Sequence, residues 1–241
     1  MCTVTFVPVK GGALLASNRD EKNMRKPALP PSAYPYGTTE IVYPRDAQAG
    51  GTWIAMKENG DAAILLNGAL KKHVPQPPYA RSRGIVLIDI LKDDRPVEAF
   101  LRTGLENIEP FTLILFIKQA LTECRWDGRE KQIKHLSPAR PHIWSSSTLY
   151  SDDIVLRRES WFKNWLGKNA NPTVEDIFNF HRFGGDGDKQ NDLIMKRDNA
   201  YQTVSITVLE LIRGSEKMIY HDLLNDLCAT QQINTYAHEL F

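Results

Sequence analysis

The hydrophobic pattern opens in short β-like bursts, turns helical, and returns to strands before the end of the chain. Val4, Phe6 and Val7 are β-favouring, Gly11-Gly12 is a turn signal, and Ala13 to Ala16 reads as a returning strand. Five prolines from Pro27 to Pro44 predict irregular surface chain, because proline lacks an N–H and fixes its own φ. Gly50 to Met56 and Ala62 to Leu66 form a strand pair around Glu58-Asn59-Gly60-Asp61, with Asn-Gly at the turn. Ile85 to Leu91 and Pro96 to Leu101 carry the spacing of core-facing helices. Phe111 to Ile117 is a β-rich apolar run, with Cys124-Arg125-Trp126 expected to pair with it and Lys131 to Ile133 another short strand. Asp153 to Leu166 has a helical pattern, and Thr173-Val174-Glu175-Asp176 resembles a capping box opening a helix through Phe180. Val204 to Ile212 is strongly β-like, with Lys217 to Tyr220 as its hairpin partner. Antiparallel strands with clustered helices predict an α+β fold, in one domain over residues 1–241.

Composition narrows the class. The chain has 241 residues, 42% hydrophobic and 24% charged, which suits a globular protein with a sizeable core. A net charge of +1 calls for neither nucleic acid nor an anionic membrane. Three cysteines are too few for a disulfide framework and suit a reducing compartment. No apolar run reaches the roughly 18 residues of a membrane span, and the first residues lack a signal-peptide pattern. The expectation is a cytoplasmic protein acting on a small molecule, its oligomeric state open.

The start of the chain carries the most specific chemistry. Removal of Met1 would leave Cys2 with a thiol and a free α-amine on one residue. The amine titrates near pH ~8, so it can take the thiol proton at neutral pH. If Gly11-Gly12 forms the hairpin turn, Cys2 faces Glu21; if Lys10-Gly11 does, it faces Arg19. Either register sets Cys2 against residues 19–21 across a ladder spaced about 5 Å. Arg19 would favour the thiolate by its charge, Asp20 would hold or orient the α-ammonium, and Asn18 would fix the turn that follows. Asn67, closing an apolar strand, is either an oxyanion donor or a plain Asn-Gly turn residue.

Met1-Cys2-Thr3, Asn18-Arg19-Asp20-Glu21, Gly50-Gly51-Thr52-Trp53 and Arg81-Ser82-Arg83-Gly84 closely resemble the NRDE, or transport-and-Golgi-organisation, family. Trp144-Ser145-Ser146 and the late Val204 to Leu209 strand fall where that family's later blocks lie. The resemblance implies a branch of the N-terminal-nucleophile hydrolases, with a four-layer αββα sandwich of two antiparallel sheets. It is similar to choloylglycine hydrolases and penicillin acylases, whose Met-Asn-Glu-x-Gly and Leu-Asn segments match Met56-Lys57-Glu58-Asn59-Gly60 and Leu66-Asn67. It therefore implies Cys2 as nucleophile, Arg19 and Asp20 as its neighbours, and Asn67 as oxyanion donor, with Asn18, Glu21, Ser145 and Ser146 in support. The sequence departs from those relatives in two places. Ser145-Ser146-Ser147 stands where a second Asn is common, and Tyr201-Gln202-Thr203-Val204 lacks a late Arg.

The six histidines show no metal-ligand spacing, and Gly184 to Asp188 fails the calcium-loop pattern and reads as a mobile loop. Two functions follow. One is an N-terminal-cysteine amidohydrolase of linear amides, needing no cofactor. The other is a non-catalytic binding or trafficking protein for a hydrophobic metabolite such as haem or an acyl group, as the family's links to haem trafficking imply. A purely structural scaffold is a third possibility.

Overall fold

A computed structural model describes residues 3–197 and 200–233. Its first hairpin joins β1 (Thr3–Val9) to β2 (Gly12–Lys22) through Lys10 and Gly11, and Gly11 takes a positive φ of 88° that favours glycine. Next come β3 (Leu29–Tyr36), β4 (Thr39–Arg45), β5 (Ile54–Lys57) and β6 (Ala62–Asn67). Helices α1 (Arg83–Leu91) and α2 (Pro96–Arg102) precede β7 (Phe111–Ile117), β8 (Ala120–Trp126), β9 (Lys131–Leu136) and β10 (His142–Ser145). Then follow α3 (Asp152–Lys168), α4 (Val174–Phe183), the two-residue β11 (Lys196–Arg197), β12 (Tyr201–Ile212), β13 (Lys217–Asp222) and β14 (Leu227–Gln232).

The strands make two antiparallel seven-stranded sheets. One runs β10-β1-β2-β12-β13-β14, with β11 paired to β12; the other runs β3 through β9 in chain order. Two-residue alternation sorts the side chains into layers. Val4, Phe6, Leu15 and Leu209 from the first sheet meet Ile54, Met56, Ile64 and Ile114 from the second, which makes the inner core. The second sheet's outer face, with Ala55, Leu65 and Leu113, packs on Leu87 and Ile90 of α1 and Phe100 of α2. The first sheet's outer face, with Val7, Leu14 and Val208, packs on Phe162 of α3 and Ile177 and Phe180 of α4. This is the α+β fold expected from the strand and helix pattern, with the αββα layering that the family resemblance implies.

The Pro27 to Pro44 segment corrects an expectation. It is not irregular chain but the β3–β4 hairpin. β3 is the edge strand of its sheet, and its ladder is broken between Leu29 and Ser32, where Pro30 and Pro31 sit. Edges and bulges are where a strand tolerates missing N–H donors. Asn18 is a second correction. No turn directly follows it for its side chain to fix, because β2 runs on through Lys22.

The helical expectations hold. Thr173 and Asp176 form a reciprocal capping box at α4, and Ser82 caps α1. Gly51 lets the chain press against the start of α1: a Cβ there would stand 2.5 Å from the Gly84 carbonyl carbon. Asp186 and Asp188, in the loop after α4, pair with Arg157 of α3. Among the described residues, no helix is long and apolar enough to cross a membrane.

Candidate active site

The hairpin register settles which residues meet at the head of β1. Val9 pairs with Gly12 and Thr3 with Asn18, which corresponds to the Lys10-Gly11 turn. Thr3 also pairs with Ser145 on its other side. Cys2 itself lies outside the described residues. β1 is thus the strand between β2 and β10, and the end of β2 carries the Arg19-Asp20-Glu21 segment past its head.

Arg19 projects to the inner face, 3% exposed, with its guanidinium 4.2 Å above the Trp53 ring. Its Nη2 donates to Asp46 Oδ2 at 2.5 Å, and Glu21 Oε2 lies 3.6 Å away. Burial lowers the pKa of Arg19, opposed by the charges of Glu21 and Asp46. Asp46 also accepts from Arg25 Nε at 2.9 Å and, on its other oxygen, from the backbone N–H groups of Gln48 and Ala49. Burial would raise its pKa, but the Arg25 and Ala49 bonds and the two guanidinium charges hold it below the usual carboxylate value.

Asp20 turns the other way. Tyr150 donates its hydroxyl to Asp20 Oδ2 at 2.6 Å, and Thr203 Oγ1 donates to Oδ1 at 2.6 Å. Thr203 reaches Asp20 because the β2–β12 register slips between Thr203 and Ser205, a bulge of the kind that re-aims a side chain beside a site. The Tyr150 ring is stacked under Arg158, whose Cζ is 3.6 Å from its centroid. Arg158 is fully buried, donates to Thr3 Oγ1, and gives two further bonds of 2.8 Å to the carbonyls of Asn191 and Asp192. The same guanidinium therefore grips both the head of β1 and the ring that holds Asp20.

Asn18 belongs to a buried network on the helix side. Its Nδ2 donates to the carbonyls of His181 and Leu193, and its Oδ1 meets His181 Nδ1. His181 Nε2 bonds Thr5 Oγ1 at 2.7 Å. Burial, then the Arg158 charge, pushes the His181 pKa down to about 3, so the ring is neutral.

Asn67 ends β6, and its carboxamide has no hydrogen-bond partner among the described residues. Its carbonyl accepts from Ser146 Oγ at 2.8 Å. That bond sets Ser146 as a support for Asn67 rather than a donor of its own. Arg19, Asp20, Glu21 and Asn67 line one cavity of about 680 Å³, together with Trp53 and Asp46. Ser145 lines a second, of about 880 Å³, which shares Lys72, Thr148, Leu149 and Arg197 with the first. The structure thus brings together Arg19, Asp20, Glu21 and Asn67, places Ser145 and Ser146 beside them, and puts Asn18 behind the sheet.

The model for Transport and Golgi organisation 2 matches residues 1–220. The chain belongs to that family. The fold of this chain is similar to that of two hydrolases of known structure. A C2A mutant of the conjugated bile acid hydrolase from Clostridium perfringens superposes with a TM-score of 0.64 at 11% identity, over 97% of this chain and 92% of that one. The Caenorhabditis elegans orthologue of N-acylethanolamine-hydrolyzing acid amidase gives 0.59 at 14% identity, over 86% and 92%. At such identities the likeness shows the fold alone. No curated protein matches the sequence.

Sequence reasoning missed Asp46, Tyr150, Thr203 and Arg158. Asp46 sits 27 residues from Arg19, and Tyr150 lies 130 residues from Asp20. Neither belongs to a short motif that could have announced it. Among the described residues no cluster of three metal-ligating side chains occurs.

Proposed function

We propose that this member of the family is an N-terminal-cysteine amidohydrolase that cleaves linear C–N amide bonds of a small molecule through an acyl-enzyme at Cys2. The observation that carries the reading is the register: Thr3, the first described residue, lies opposite Asn18, so the described chain begins beside Arg19 and Asp20. The two hydrolase folds superposed on the chain support it.

In this reading the Cys2 thiol passes its proton to its own α-amine and attacks the amide carbonyl. The carbonyl oxygen gains the negative charge, and the open carboxamide of Asn67 donates to it. Collapse expels the amine, which takes the proton back, and leaves a thioester. Water then attacks the thioester carbonyl, giving its proton to the α-amine, and releases the acid and the thiol. Arg19, fixed by Asp46, supplies positive charge beside the thiolate. Asp20, fixed by Tyr150 and Thr203, orients the ammonium.

The test is an intact-mass measurement on protein lacking Met1, incubated with a panel of N-acyl amides. A transient acyl adduct on residue 2, lost in Cys2→Ala, is expected. Processed protein that gains no adduct and releases no amine refutes the reading.

A second reading, carriage of an acyl group without turnover, is favoured by the larger cavity, whose wall includes Leu66, Leu70, Ile143, Trp144 and Val155. An acyl chain suits that wall better than haem. No histidine lines that larger cavity among the described residues; His73, whose Nε2 lies 3.2 Å from Glu109 Oε1, borders the first one. A haem titration without a spectral shift would count against haem carriage.

A further inference from the structure

The cavity beside Asp20 and Asn67 is unequal in charge: six Lys and Arg side chains line it against four carboxylates. Each carboxylate is already engaged within the wall. Asp46 holds Arg19 and Arg25, and Glu21 lies within 3.6 Å of both guanidiniums. Glu109 holds Arg83 at 3.0 Å and His73 at 3.2 Å, and Asp20 accepts from Tyr150 and Thr203.

The excess positive charge falls on Lys22, Lys72 and Arg197, which have no carboxylate partner among the described residues. Arg197 is half-buried and held by neutral acceptors: the Leu149 carbonyl at 2.8 Å, the Gln190 carbonyl at 2.9 Å and Asn191 Oδ1 at 2.8 Å. Those bonds fix the guanidinium without neutralising it. Its Cζ stands 5.2 Å from the centroid of the Tyr150 ring.

Donors are in excess too. Among the described residues the Asn67 carboxamide has no partner, and the indole N–H of Trp53, a residue only 4% exposed, has no acceptor. Fixed positive charge in a low-dielectric cleft concentrates anions. A buried donor without a partner loses the hydrogen bonds it made in water. Lys72 and Arg197 also line the second cavity, so they stand at the seam between the two.

We infer that the molecule bound here carries an anionic group, a carboxylate or a phosphate, and that Arg197 and Lys72 receive it. The inference rests on the proposed function for which cavity takes the substrate, but it needs no turnover to be tested.

The experiment titrates the Cys2→Ala protein calorimetrically with octanoate, octyl phosphate and neutral octanamide. Two partly exposed ion pairs predict that the better anion binds about tenfold more tightly than octanamide. Arg197→Gln and Lys72→Gln should each erode that preference about threefold, leave octanamide binding unchanged, and reduce its salt dependence. The two anions compared with one another identify the headgroup. Octanamide binding as tightly as both anions, no binding by any of the three, or equal losses for all three in the variants would overturn the inference. Lys72 is exposed, so its variant keeps the test open if Arg197→Gln unsettles the fold. Retained anion preference without amide cleavage by the unaltered protein would sink the amidase reading alone.

Discussion

Replacing Asp46 by Asn is the sharpest test of how the site is held. The change keeps the shape of the side chain and removes its charge. In the native protein that charge sits against two guanidiniums, 2.5 Å from Arg19 Nη2 and 2.9 Å from Arg25 Nε. Arg19 is 3% exposed, so the variant leaves a buried cation with Glu21, at 3.6 Å, as its nearest carboxylate. Removing one partner of a buried pair costs about 3–5 kcal/mol. Glu21 and the remaining amide oxygen offset part of this, and roughly 2–3 kcal/mol is the expected loss. For a chain of this length that lowers the melting temperature by about 4–12 °C at neutral pH.

The pH dependence gives a second handle. The folded-state pKa of Asp46 lies below its unfolded value of 3.8, so its stabilisation is complete above 3.8. It is lost as pH falls through the depressed folded value. Wild type and variant should therefore converge under acid, and urea unfolding at pH 7 and below 3.8 measures this directly. A variant that melts with wild type at pH 7, or a gap that widens in acid, would show that Arg19 does not depend on Asp46.

Other predictions concern single contacts. Tyr150→Phe removes a donor to Asp20 while keeping the ring under Arg158; it should cost about 1–2 kcal/mol in stability and shift the pH profile of Cys2 alkylation. An unshifted profile would remove Asp20 from the activation of Cys2. His181→Gln should flatten the acid sensitivity of unfolding. The neutral His181 ring contributes stability that is complete above 6.5 and lost toward about 3, at up to roughly 1.4 kcal/mol per pH unit. Unfolding curves across that range check it, and an unchanged slope contradicts it. Gly51→Ala drives a methyl into the Gly84 backbone at 2.5 Å, where neither side can rotate away, and should cost about 3 kcal/mol or more by chemical denaturation.

The sequence carried the local half of this structure. Asn59-Gly60, the Thr173 capping box and the alternation around Val4 and Phe6 each specify their element with nearby atoms. Lys10-Gly11 and Gly11-Gly12 were equally open as turns, and the ladder from Val9↔Gly12 to Thr3↔Asn18 decides for the first. The prolines of β3 misled because edge position is a property of the whole sheet, invisible in the segment itself. β10 is a four-residue strand whose pairing partner β1 lies far along the chain, and the polar-patterned β14 pairs with its neighbour β13. The site divides in the same way. Arg19, Asp20, Asn67 and its support Ser146 were legible as residues, whereas the anchors Asp46 and Tyr150 come from other elements and meet Arg19 and Asp20 only through topology. Asn18 was misread because its neighbours in sequence are site residues, while strand alternation turns its side chain to the buried His181 network.

The central claim concerns Cys2, and its reactivity against the other two thiols tests it most directly. Cys124 is fully buried, and burial with the Glu123 charge pushes its pKa up to about 12, so it should be inert. Cys228 is exposed and is the fair competitor. Protein lacking Met1 is treated briefly with limiting iodoacetamide at neutral pH and mapped by peptide mass spectrometry. The account predicts one predominant adduct on Cys2, strongly slowed in Arg19→Ala. Labelling that favours Cys228, or Cys2 labelling indifferent to Arg19, would contradict it.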